Sequence, residues 1–311
     1  MPYLKHTLVG YTGFVGGNLF ASHTFDNLFN SSNINDSFKQ NNGLVVYSGM
    51  PSEKFFADTH PDQDLEKAKQ AFENMQRMCP EQLVLISTID VYSTPIGIDE
   101  NTPAGGEGVA PYGAHRYLLE KWTREAFPNA LIVRLPALFG IGLKKNFIYD
   151  MLTLCPPMLK EEKYKELCVK SELISQYYNK DNAGFYRLTN LSYDERAILK
   201  DFFATNDFNS LAFTDSRSIF QFYDLSRLWK DIENALSASL TLVNLATEPI
   251  SASELYNALF ASNFTNERSK PPFYYNMRTL HCNILGGTDG YLMNKERIVD
   301  SIKLFSKTFE V

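Results

Sequence analysis

Three glycines spaced three residues apart, Gly10, Gly13 and Gly16, stand in the run Gly10-Tyr11-Thr12-Gly13-Phe14-Val15-Gly16, directly after the apolar stretch Leu4 to Val9. Such a turn bends tightly, lets the backbone approach a pyrophosphate with no side chain in the way, and opens a helix whose first N–H groups face the anion. The spacing predicts a dinucleotide site lined by Gly10, Thr12, Gly13, Phe14, Val15 and Gly16, with NAD or NADP as its occupant. NAD is usually selected by an acid about 20 residues further on, which bonds the ribose 2′-OH. Leu28-Phe29-Asn30-Ser31-Ser32-Asn33 stands there instead, flanked by Asp26 and Asp36. Ser31 and Ser32 become the candidates for the ribose end, and the missing acid leans towards NADP.

A glycine triplet is also compatible with an ordinary strand-to-helix turn, so the elements around it matter. Short apolar runs alternate with amphipathic stretches of helix length, the pattern of a parallel sheet covered on both faces. Strands are predicted over Leu4 to Val9, Gly43 to Tyr47, Gln82 to Ser87, Leu131 to Leu135 and Leu240 to Leu245. Helices are predicted over Gly17 to His23, Asp64 to Met78, Tyr112 to Phe127 and Asp224 to Leu236, with Asp224 as an N-cap. The expected architecture is α/β, a Rossmann-type doubly wound parallel sheet with a smaller C-terminal substrate-binding lobe. Residues 1–142 plus 221–246 would form the dinucleotide-binding domain, and 143–220 plus 247–311 the lobe.

With 311 residues, 44% hydrophobic and 21% charged, the chain can bury a full core, and its formal net charge of -6 argues against nucleic acid as a partner. Cys79, Cys155, Cys168 and Cys282 form no CxxC pair, and His6, His23, His60 and His281 stand apart in sequence. No metal site and no disulfide framework is expected. MPYLKHTLVG lacks the basic and apolar regions of a secretion signal, and no apolar run reaches the length of a membrane span, so a cytoplasmic protein without a membrane partner is expected.

Two further segments turn this frame towards a reaction. Leu83 to Ile86 leads into Ser87-Thr88-Ile89-Asp90-Val91-Tyr92, and Pro111-Tyr112-Gly113-Ala114-His115-Arg116 follows after a loop. Together with the glycine run they resemble the extended short-chain dehydrogenase/reductase family of NAD-dependent epimerases, dehydratases and reductases, many of which modify nucleotide sugars. The resemblance covers most of the chain. It implies that Thr88 and Tyr112 are catalytic, with Tyr112 moving the proton that accompanies hydride transfer at a sugar carbon. A phenol does this when a cation lowers its pKa, and position i+4 on the same helix face suits the cation. The family has Lys there. This chain has Arg116, which could lower the phenol and reach the cofactor ribose but not relay a proton. A second Tyr-x-x-x-Lys, Tyr117 to Lys121, fits the pattern by letter, but Tyr112 has the family's context.

The same resemblance assigns Ser48 and Gly49 to the cofactor's adenosine side and Leu135 and Pro136 to the nicotinamide side. It assigns Lys144, Asn146, Arg217 and Gln221 to the substrate, with Arg217 on the diphosphate, where a guanidinium fork suits phosphate oxygens. Dehydratases carry two acids after the threonine, and here Asp90 stands alone, so dehydration ranks below epimerisation and reduction. The implied function is an NAD(P)-dependent oxidoreductase or epimerase acting on a nucleotide-activated sugar in polysaccharide or cell-surface sugar biosynthesis, as a homodimer built through the Tyr112 helix. The alternative is a relative that binds cofactor without turnover and acts in regulation or scaffolding.

Overall fold

The structure, a computed structural model, describes residues 4–40, 42–182 and 184–309. The expected outer domain limits, 1 and 311, lie outside them. Two compact units result: one holds the residues up to Gly142, Ile219–Ile250 and Tyr274–Ser301, the other Leu143–Ser218, Ser251–Phe273 and the chain from Ile302 on. The expected lobe was 143–220 plus 247–311, but Ile219–Ile250 and the segment Tyr274–Ser301 belong to the first unit. The reason for the latter is visible in the pairing of Asn276–Met277 with Ile96–Ile98, a local strand pair that periodicity does not announce.

The first unit is organised by a sheet of six strands: β1 (His6–Val9), β2 (Asn27–Phe29), β3 (Leu44–Tyr47), β4 (Gln82–Thr88), β5 (Leu131–Leu135) and β6 (Leu242–Asn244). Their order across the sheet is β2-β1-β3-β4-β5-β6, and every pairing is parallel. The order reverses between β1 and β3, which opens a crevice at their carboxyl ends, the usual place for a ligand in such sheets. Helices α1 (Phe14–Ser22), α2 (Lys54–Thr59), α3 (Pro61–Met78), α4 (Pro111–Ala126) and α5 (Leu228–Ser237) form the crossovers and flanks.

Because side chains alternate across a strand, one face of the sheet presents Leu8, Val46, Val84 and Val133 to Leu19, Leu228 and Ile232, and the other presents Val45, Leu83, Leu85 and Ile132 to Ala68, Met75 and Leu119. Asp224 does cap, as the sequence suggested, but it caps a single 3₁₀ turn, Leu225–Arg227, ahead of α5. The histidines His6 and His23, which look isolated in sequence, meet: Nδ1 of one lies 2.8 Å from Nε2 of the other, and His23 stacks on Trp229 at 3.7 Å. Burial, aided by His6, pulls the His23 imidazole below its ordinary value.

A charged tie fixes α4 on the sheet. Arg134, next to the last residue of β5, donates to both carboxylate oxygens of Glu120 at 3.0 and 2.6 Å, and Ser87 donates to the same carboxylate at 2.6 Å. Arg134 and Glu120 are both buried, so each offsets the other's desolvation. Arg134 also donates to the Tyr92 hydroxyl, which itself donates to the Asp99 carbonyl. The helix register that results sets where Tyr112 stands.

In the second unit Met158–Leu159, Tyr178–Lys180 and Tyr186–Leu188 form a small antiparallel sheet, packed with Leu167, Ile174, Leu199 and Phe203. A reciprocal capping box between Ser192 and Glu195 starts its helix Tyr193–Ala204. Among the described residues no helix is long and apolar enough to cross a membrane, and no group of His, Cys, Asp and Glu could hold a metal ion.

Candidate functional site

Gly10 leaves β1 with φ +89°, a conformation that suits glycine, and its N–H donates to Phe29 at the end of β2. A Cβ on Gly16 would lie 2.1 Å from the Gly10 carbonyl oxygen, and one on Gly10 would lie 2.7 Å from the Ser48 carbonyl oxygen. The loop is thus closed against both neighbouring strand ends with no space for side chains. Gly13 caps α1 without a side-chain acceptor, and no acid sits in the first turn. The helix N-terminus keeps its positive end available to an anion. Ser48 is held by its hydroxyl donating to the Val9 carbonyl at 2.7 Å, so Ser48 and Gly49 border the glycine loop.

At the end of β2 an Asx turn replaces the selecting acid. Asn30 Oδ1 accepts from the N–H of Ser32 at 2.9 Å and from its hydroxyl at 2.6 Å, while Ser31 stays exposed. The Ser32 hydroxyl is therefore engaged by the turn itself.

On the other side of the crevice, Thr88 pairs in register with Leu135, which places Pro136 next to the end of β4. Tyr112 lies in the first turn of α4, buried, with Pro111 at the helix start, where its missing N–H costs nothing. Gly113 is obligatory there: a Cβ would come within 1.8 Å of the Asp90 carbonyl oxygen. The close approach of α4 to the Thr88–Asp90 turn depends on that glycine. Thr88 donates its hydroxyl to Asp90 Oδ2 at 3.0 Å and accepts from the Asp90 N–H at 3.2 Å.

Arg116 departs from its expected place. Its guanidinium donates to Asp64 at 2.7 and 3.2 Å and to the Pro51 carbonyl at 2.6 Å, all in a buried pocket between α3, α4 and the loop after β3. His115 shares the same carboxylate at 2.8 Å. Arg116 still packs over the Tyr112 ring, at 4.4 Å from its centroid, but its fork is filled by protein. Burial pushes the Tyr112 phenol above its ordinary value; Arg116 and Lys54 pull it back, while Asp90 and Asp64 push it further up. The expected lowering by Arg116 is thus overridden by burial and by the carboxylate that Arg116 is paired with.

Residues not singled out in the sequence complete this cluster. Lys54, at the start of α2, bonds Asp90 at 2.8 Å and holds its ammonium 5.8 Å from the Tyr112 ring centroid. Tyr275, from the tail segment, feels both Lys54 and Asp90, and burial pushes its phenol up. Tyr117 packs its ring against Gly105, and Lys121 is exposed, so the second Tyr-x-x-x-Lys is a piece of structure.

The residues expected at the substrate separate into different situations. Gln221 is 1% exposed and spends its amide on the backbone: Nε2 donates to Thr247 at 2.5 Å and Met277 at 2.7 Å, and Oε1 accepts from the Met277 N–H at 2.7 Å. It ties chain segments together and does not face a ligand. In the second unit, Arg217 is forked onto Asp215 at 2.9 and 2.7 Å and reaches Glu267 at 3.1 Å, so carboxylates occupy the place foreseen for a diphosphate. Lys144 is exposed, and Asn146 caps the helix Phe147–Thr153 through Tyr149 N–H at 3.2 Å. Asn146 takes φ +117°, a strained value for a residue with a Cβ.

One turn into that helix, burial raises the Asp150 carboxyl from 3.8 to about 7. A raised carboxyl contributes its full stability below its unfolded value and loses it as pH rises through the folded one. Asp150→Asn is therefore expected to match the wild type near pH 4 and to exceed it above pH 7, by at most about 4 kcal/mol, in thermal melts run across that range.

No protein-family model matches the sequence, and no curated protein does. Solved structures match it along nearly its whole length. A dTDP-4-dehydrorhamnose reductase from Bacillus anthracis str. Ames, crystallised with NADP, superposes with a TM-score of 0.65 at 14% identity, covering 99% of each chain. A UDP-N-acetylglucosamine 4-epimerase from Methanobrevibacter ruminantium M1, in complex with UDP-N-acetylmuramic acid, does so at 0.62 and 10%, covering 99% of this chain and 98% of its own. An NAD-dependent NDP-hexosamine 5,6-dehydratase of tunicamycin biosynthesis follows at 0.61 and 13%, covering 98% and 97%. At these identities the likeness is one of fold, and that fold is the one the sequence motifs resemble.

Proposed function

We propose that this chain, which has the fold of the extended short-chain dehydrogenase/reductases, is an NAD(P)-dependent reductase of a nucleotide-activated keto-sugar. The observation that carries the reading is a buried tyrosine, Tyr112, in the first turn of α4, which Gly113 lets approach the Thr88–Asp90 turn at the carboxyl end of β4, on the same sheet edge as the glycine loop. A phenol that keeps its proton is an acid, which reduction of a carbonyl requires. Epimerisation through oxidation would need the same group as a base first. The single carboxylate Asp90, engaged by Lys54 and Thr88, leaves elimination without its pair of acids.

The glycine loop fits a dinucleotide, since its cradle has no room for a Cβ and its helix end faces an anion. Gly10, Thr12, Gly13, Phe14, Val15, Gly16, Ser48 and Gly49 would hold the cofactor, whose reduced nicotinamide supplies a hydride. Tyr112 gives its proton to the substrate oxygen, and Thr88 orients that oxygen once its hydroxyl turns from Asp90 to donate to it. Lys144 and Asn146 are our candidates for the nucleotide diphosphate. With no acid among Asn30 to Asn33, NADP remains the favoured cofactor. That Bacillus reductase was crystallised with NADP, and other neighbours with NADPH or NAD.

Fluorescence titration with NADPH and NADH tests the binding half. Saturable binding is expected for the wild type, and Gly16→Ala is expected to weaken it at least about tenfold, because a methyl there displaces the Gly10 carbonyl. Mass spectrometry of ligands that survive purification would then identify the sugar nucleotide. A competing reading, cofactor binding without turnover, draws on Arg116 being spent on Asp64. Single-turnover oxidation of bound NADPH by a keto nucleotide sugar would sink it.

A further inference from the structure

Arg116 stands where the resemblance expects an ammonium, yet Asp64 and the Pro51 carbonyl fill its guanidinium, and an arginine does not give up a proton under physiological conditions. The other cation at Tyr112 is Lys54. Its side chain is 58% exposed, so it stands between the buried phenol and water, and its stem can swing. Its partner is the Asp90 carboxylate at 2.8 Å, which also takes the Thr88 hydroxyl at 3.0 Å. One ammonium, one carboxylate and one hydroxyl thus form a chain beside the phenol, and Tyr275 approaches the same ammonium.

We propose that Lys54, reaching Tyr112 from the start of α2, does the work of the ammonium that α4 lacks: its charge stabilises the phenolate, and its proton restores the phenol. The proposal rests on the reductase reading only for its second half. In that half the Tyr112 O–H bond breaks as the substrate oxygen takes the proton. An N–H bond of Lys54 then breaks as the phenolate takes that proton, and the neutral amine takes up one solvent proton (H⁺), the one proton that reduction of a carbonyl consumes. The hydride comes from the reduced nicotinamide of the proposed reaction, so charge and electrons balance. Arg116 keeps a different task, holding the ring from its other contact through the tie to Asp64.

The charge half is testable without any substrate. A fluorinated tyrosine, whose phenol ionises nearer neutrality, is placed at position 112 of the full chain and its ionisation followed by ¹⁹F NMR against pH. Lys54→Met is expected to raise that midpoint by about one pH unit, a value discounted for solvent screening, and Lys54→Arg to keep it near the starting value. Lys54→Gln serves as a second neutral variant, and since the side chain is largely exposed a folded protein is expected from each. An unchanged midpoint in both neutral variants would overturn the proposal. So would a shift that Lys54→Arg fails to reverse, since packing would then be its cause. If Tyr112→Phe leaves turnover intact while the midpoint still moves with Lys54, the reductase reading fails and the charge assignment stands.

Discussion

Tyr112→Phe is expected to lower single-turnover reduction by about 10²- to 10⁴-fold while leaving NADPH affinity unchanged, the span general acid catalysis ordinarily contributes. The change removes one oxygen from a buried ring and leaves the ring under Arg116, so the fold has no reason to suffer. The direction of the pH dependence follows from the phenol's raised value. Tyr112 ionises above its ordinary 10.0, since burial outweighs the cations near it. In the wild type, reduction should therefore stay flat through neutral pH and fall only in strongly alkaline solution, where the acid is lost. Oxidation of the product alcohol needs the phenolate and should rise with pH over the same range. Stopped-flow measurement of NADPH consumption and formation at a series of pH values reads both. Reduction that declines between pH 6 and 8 would place the controlling proton on another group.

How much of this site could be read beforehand depends on where each residue comes from. The glycine loop, Thr88 and Tyr112 were legible because each lies in a local strand-turn or turn-helix context whose spacing has a physical reason. Lys54 and Asp64 were not, because their importance arises only when parallel strands put the crossover after β3 beside the one after β4. In sequence Lys54 reads as a solvated surface lysine, and Asp64 as an acid favoured in the first turn of α3. Tyr275 comes from a tail segment that was expected in the other unit. His6 and His23 meet because a crossover helix runs back along its strand, so the start of β1 and the end of α1 coincide in space. Gln221 shows the opposite error. A polar side chain in a segment that resembles a substrate loop was satisfied by the backbone around it, and burial accounting decides such cases only once the chain is folded.

The substitution expected to cost most stability is Asp64→Asn. The wild-type carboxylate is 2% exposed and receives three donors, two from Arg116 and one from His115. Burial alone would push it up, but these donors outweigh burial and hold it below its ordinary 3.8. Asparagine keeps the shape and loses the charge, so a buried guanidinium is left with the Pro51 carbonyl and an amide. Breaking a buried pair in this way costs about 3–5 kcal/mol, which denaturant unfolding would show as a lowered midpoint with little change in slope. A depressed carboxyl contributes its stability above its unfolded value and loses it as pH falls through the folded one. The gap between wild type and Asp64→Asn should thus be full at neutral pH and shrink below about pH 4. The same substitution removes a negative charge that pushes Tyr112 up and unmasks the positive charge of Arg116 against its ring. A protein that is less stable yet carries a more acidic phenol is the expected pair of outcomes. Loss of stability with an unmoved Tyr112 would show that Arg116 swings away once Asp64 is neutral, and that the carboxylate's service to the site is to keep it on the ring.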